Sequence, residues 1–108
     1  MVEKFFTPKE ANQILPDVKK IVEEILSRAH EVPVPEERIK ALMARLEDMG
    51  CYYKDLNFEI GLVDFPAIIH GQQALLCWRS DEPKVAWFHG YEDGYAGRRR
   101  VTQELVFS

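Results

Sequence analysis

Apolar residues recur at steps of three and four over the first half of the chain, and at steps of two over much of the second. From Ala11 the apolar positions are Ala11, Ile14, Leu15, Val18, Ile21, Val22, Ile25, Leu26 and Ala29, one wide stripe on a helix. The stretch "TPKE" ahead of them offers Thr7 as N-cap, Pro8 at the first helical position and Glu10 three residues after the cap. That is the capping-box arrangement, in which hydroxyl and carboxylate satisfy each other's backbone amides. Pro16 interrupts the pattern. It lacks an amide proton and crowds the preceding turn, but the stripe continues across it in phase, which predicts a kink. "HEVPVPEE" then breaks the helix, because the residues before Pro33 and Pro35 are biased away from helical backbone. A second helix is predicted from about Pro35 to Met49, with Ile39, Leu42, Met43, Leu46 and Met49 on its apolar face and Gly50 as its stop. The short link predicts an antiparallel hairpin.

The stretch "GLVDFPAIIHGQQALLCWRS" reads as two strands around His70-Gly71. A two-residue loop with a residue that tolerates positive φ followed by glycine suits a primed turn. Ile69 then pairs with Gln72, Ala67 with Ala74, Phe65 with Leu76 and Val63 with Trp78, on one nearly apolar face that should take the helices. The reverse face carries Leu62 opposite Arg79, Asp64 opposite Cys77, Pro66 opposite Leu75 and Ile68 opposite Gln73. Asp64 is also diagonal to Arg79, within ion-pairing reach. "VAWFH" is a third strand after the turn "SDEPK", and "CYYKDL" a short fourth. Pro66 cannot donate to a ladder, so its strand should be an edge there, or that amide position should point outward. The expected fold is α+β: an N-terminal antiparallel helical hairpin, about residues 8–49, packed on a small C-terminal antiparallel β-meander with a glycine-rich loop, about residues 51–108.

A chain of 108 residues fits one domain, residues 1–108. A formal net charge of −4 and a pI near 5.4 argue against a nucleic-acid footprint. Arg98-Arg99-Arg100 is the local exception, too short for a phosphate-tracking patch and expected to be exposed. Two cysteines, Cys51 and Cys77, point to free thiols in a reducing cytoplasm. The start "MVEKFFTPKE" lacks the apolar core of a signal peptide, and no apolar run approaches the ~18 residues of a membrane span.

Candidate chemistry concentrates in "FHGYEDGYAGRRR", residues 88–100. A loop leaving the third strand at His89 can return over the sheet face that holds Asp64, Cys77 and Arg79. The candidate polar cluster is Asp64, Cys77, Arg79, His89, Glu92, Asp93 and Arg98. Histidine, carboxylate and thiolate are ligand types for zinc or iron, with His89, Asp93 and Asp64 the candidate metal ligands. Histidine with a carboxylate also suits acid–base work. The spacing matches no CxxC, HExxH or His-x-His motif. Glu92-Asp93-Gly94 is a good turn sequence and reads first as a plain turn. Whether His89 can join Asp64 depends on one residue of register. A four-residue loop between Arg79 and Lys84 puts His89 on the core face with Ala74 and Trp78, and one more residue moves it to the outer face.

Taken together, "FTPKEANQILP", "KDL…GLVDFPA", "LCWR…EP" and "WFHGYEDGYAGR" resemble the domain-of-unknown-function family DUF2203 over about residues 5 to 98. The motif positions are Asp64, Phe65, Pro66, Cys77, Trp78, Arg79, Glu82, His89, Asp93, Gly94, Gly97 and Arg98. The resemblance implies a small cytosolic protein and carries no activity or cofactor with it. The leading expectation is an interaction module, in the form of a homo-oligomer or bound to a protein partner, with no nucleic acid and no membrane. The alternative is a small-molecule or metal-binding protein or enzyme with a polar site around His89 on the outer sheet face.

Overall fold

A computed structural model describes residues 3–108. Two helices precede the sheet: α1 (Pro8–Arg28) and α2 (Glu36–Asp48). Thr7 and Glu10 cap α1 reciprocally, the Thr7 amide donating to Glu10 Oε1 at 2.9 Å and the Glu10 amide to Thr7 Oγ1 at 3.2 Å. Pro16 lies inside α1, which continues past it. Gly50 closes α2 at φ +96°, a left-handed backbone that favours glycine. Glu24, late on α1, accepts two hydrogen bonds from Arg38 near the start of α2, at 2.8 and 3.0 Å, which ties the two helices across the linker.

The strands β1 (Tyr52–Tyr53), β2 (Leu62–Ile69), β3 (Gln72–Arg79), β4 (Trp87–His89) and β5 (Arg99–Arg100) form one antiparallel sheet in chain order. The β2–β3 pairing is the predicted one throughout, from Leu62 opposite Arg79 to Ile69 opposite Gln72. His70 and Gly71 take the turn at φ +52° and +78°. The outer edge of β2 is shared by three segments. β1 pairs at Val63 and Asp64, the Phe6 amide donates to the Pro66 carbonyl at 2.7 Å, and Phe107 bridges to Ile69. Pro66 therefore sits where no ladder amide is needed. β5 and the Phe107 bridge were not anticipated. Both follow a polar loop and are too short to show alternation.

One core joins the two layers. Ala11, Leu15, Val18, Ile21, Val22 and Ile25 of α1 and Ile39, Leu42 and Leu46 of α2 are buried with Val63, Phe65, Ala67, Ala74, Leu76 and Trp78 of the sheet. Asn12 latches α1 to the approach to β4. Its side chain accepts from the Val85 amide at 2.8 Å and donates to the Val85 carbonyl at 3.1 Å, as a paired strand residue would. Among the described residues no helix is long and apolar enough to cross a membrane.

Candidate functional site

β4 lies against β3 with Leu75 opposite His89 and Cys77 opposite Trp87. In this register the connection from Arg79 is the longer of the two considered above. His89 therefore leaves the sheet on the outer face, beside Asp64 and Cys77 rather than among the helices. Side-chain alternation and the His70-Gly71 turn bring the three residues together, since Asp64 is directly opposite Cys77 on β2 and β3.

All three residues are buried, with Asp64 5 %, Cys77 1 % and His89 4 % exposed. One ligand atom from each lies within 4.8 Å of the other two. His89 Nδ1 is 2.9 Å from the Gly90 carbonyl, which can only accept, so Nδ1 carries the donating proton. In the neutral ring Nε2 then presents a lone pair, and it faces Asp64 Oδ1 at 3.4 Å. Two buried acceptors at that distance call for a proton or a cation between them. Burial is the main force on Asp64 and holds its carboxyl above the usual range, although His89, Lys54 and Cys77 pull it down. Burial, reinforced by the charge of Asp64, pushes the Cys77 thiol up to about 11, against the pull of Arg98.

Loop residues 90–98 fold back over this face. A cavity of about 250 Å³ opens beside the three side chains, with Lys54, Leu62, Leu75, Tyr91, Gly94 and Tyr95 as further walls. Gly94 starts the return at φ +65°. Arg98 fastens it. Its guanidinium lies 4.7 Å from the ring centroids of both Trp87 and Tyr95, donates to both oxygens of Glu82, and reaches Cys77 Sγ at 3.9 Å. Burial works against the Arg98 charge, and the bonds to Glu82 and Cys77 outweigh it, so its pKa ends above the ordinary value.

Three sequence expectations are corrected here. Arg79 does not pair with Asp64. Its guanidinium is held by Asp81 at 2.6 and 2.8 Å, two residues along a tight turn, which is nearer than a diagonal partner across the sheet. Glu92 and Asp93 are exposed and stand outside the cluster. Asp93 Oδ2 accepts from the Gly90 amide at 3.2 Å, so its carboxylate stabilises the turn, and Cys77 takes its place beside Asp64 and His89. The arginine run is split: Arg99 and Arg100 are exposed, whereas the Arg98 side chain is 12 % exposed and ion-paired. Glu82 was not in the expected cluster, although it stands among the motif positions quoted above. Lys54 and Tyr91 were also missed. Lys54 shares the face of Asp64 only through the pairing of Tyr52 with Asp64, which no pattern in the sequence fixes.

A family model described as "Uncharacterized conserved protein (DUF2203)" matches residues 30–101. No curated protein and no solved structure is matched.

Proposed function

For this chain, which belongs to the DUF2203 family of uncharacterized conserved proteins, we propose that it binds a divalent metal ion, zinc in the first instance, through Asp64, Cys77 and His89. The observation that carries the reading is the confrontation of His89 Nε2 and Asp64 Oδ1 at 3.4 Å beside a buried thiol. Zinc accepts this mixture of nitrogen, sulfur and oxygen donors. Ligand atoms on a tetrahedral zinc stand roughly 3.3–3.8 Å apart, from bond lengths of about 2.0–2.3 Å. The histidine–carboxylate distance already meets this, and the three ligand atoms lie within 4.8 Å of one another. The Gly90 carbonyl on His89 Nδ1 is the outer hydrogen bond that fixes the tautomer of a metal-ligating histidine. Three protein ligands leave a fourth position toward the cavity, the arrangement of zinc sites that act on a bound water or ligand.

The test is metal stoichiometry. Protein stripped with chelator and reloaded should hold one zinc per chain, and Cys77→Ala and His89→Ala should each lower affinity at least tenfold while circular dichroism shows them folded. Reloaded protein without zinc, or variants that hold it equally well, would make the cluster structural. A self-associating module in the cytoplasm is the second reading. It is favoured by the exposed Val32 and Val34, the open edge at β5 and the two free cysteines. Light scattering tests it, with a monomer across the micromolar range counting against it.

A further inference from the structure

The cavity beside the proposed metal site carries a cation of its own. Lys54 follows β1, and its amide donates to the Leu62 carbonyl at 2.8 Å. It stands two residues beyond Tyr52, which pairs with Asp64, so the pleat puts Lys54 on the same outer face as Asp64. Lys54 lines the cavity, with its ammonium 5.9 Å from the centroid of the Tyr52 ring, and its charge acts on the Asp64 carboxyl.

Apart from the Asp64 carboxyl of the cluster itself, the nearby carboxylates of the described residues are engaged elsewhere. Asp55, the neighbour in sequence, accepts from the Asn57 and Ile60 amides at 3.1 and 3.0 Å. Glu82 is taken by Arg98, and Asp81 by Arg79. Among the described residues Lys54 forms no ion pair.

Summed formally, a divalent ion, the Cys77 thiolate, the Asp64 carboxylate and a neutral His89 leave no net charge, so Lys54 makes the loaded site cationic. Leu62, Leu75 and the rings of Tyr91 and Tyr95 wall the space. Low-polarity walls strengthen the attraction between that charge and an incoming anion. At about 250 Å³ the cavity lies below the usual range for drug-sized ligands and suits a small one.

We infer that the fourth metal position takes an anionic oxygen ligand, a small carboxylate or phosphate group, with Lys54 holding a second oxygen of the same group. This rests on the metal reading above. Asp64, Cys77 and His89 hold the ion, Lys54 selects the charge of the ligand, and Tyr91 and Tyr95 wall the space beside it.

Cobalt in place of zinc makes both steps visible. A thiolate-to-cobalt charge-transfer band reports that Cys77 is a ligand, and the visible ligand-field bands report what occupies the fourth position. Sodium acetate, inorganic phosphate and acetamide, the uncharged counterpart of acetate, are titrated separately into the cobalt-loaded chain. The expected result is a saturable change of the visible bands with acetate or phosphate and none with acetamide. Lys54→Gln should keep the thiolate band and weaken anion binding about tenfold, the effect of losing one charge-assisted hydrogen bond. The two anion arms separate carboxylate from phosphate. An intact thiolate band with no response to either anion overturns this inference and leaves the metal reading standing. So does an equal response to acetamide, or anion binding unchanged in Lys54→Gln. A chain that never develops the thiolate band overturns the metal reading, and this inference with it.

Discussion

Arg98→Met should destabilise the protein more than Arg98→Met combined with Glu82→Gln. The two side chains are 12 % and 14 % exposed, and the pair is bidentate. Glu82 Oε1 also accepts from the Arg79 amide at 2.8 Å, so the carboxylate is anchored to the turn and cannot simply swing away. Removing one partner of a buried pair costs roughly 3–5 kcal/mol, because the other charge is left without compensation. Loss of the stacking on Trp87 and Tyr95 adds about 0.5–1 kcal/mol for each ring. Methionine keeps part of the packing, and partial hydration of Glu82 at the turn relieves part of the charge penalty. The net expectation is about 3 kcal/mol, or roughly 10–20 °C in Tm for a chain of this size. In the double variant the neutral amide can still accept from Arg79 and leaves no stranded charge, so the loss should fall to about 1 kcal/mol. Urea unfolding followed by circular dichroism gives both values. A single variant within about 1 kcal/mol of the parent, or a double variant as damaging as the single, would refute the assignment of a buried, coupled pair.

Leu76, fully buried opposite Phe65, should cost about 2–5 kcal/mol when cut to alanine, read by the same unfolding curve; a change under about 1 kcal/mol would contradict its place in the core. Gly61→Ala should cost about 1–3 kcal/mol by overpacking, since the added carbon would clash with Val22 Cγ1 and force α1 outward; an unchanged melting temperature would show that α1 yields freely. Burial raises the Cys51 thiol from 9.0 to about 12. The unfolded thiol therefore ionises first, the native state binds more protons above pH 9, and stability falls with rising pH between those values. Between about pH 8.5 and 10 the parent should lose about 1 kcal/mol more than Cys51→Ala, and parallel curves would refute the shift. Arg99 and Arg100, exposed on an acidic chain, should support no tight binding of DNA at physiological salt; a steep salt dependence abolished by substituting both would overturn that reading.

Local rules were sufficient for much of this protein. The Thr7-Pro8-Glu10 cap, the helical stripe and the His70-Gly71 turn depend on contacts within a few residues, and side-chain alternation then set the whole β2–β3 register. With it came the neighbourhood of Asp64 and Cys77. The third member of the cluster was not legible, because His89 changes face with a single residue of loop length and "SDEPK" fits both registers. Packing decides between them: this register places His89 beside Asp64 and gives the core side Phe88, which pairs with Leu76 and packs against the core. Sequence proximity misled at Glu92 and Asp93, where turn chemistry claims the carboxylates before the site can, and at Arg79, which finds Asp81 first. The partnership of Glu82 with Arg98 joins residues sixteen apart through a folded-back loop. No periodicity encodes that contact; it exists only once the loop has closed over the sheet and brought the two charges together.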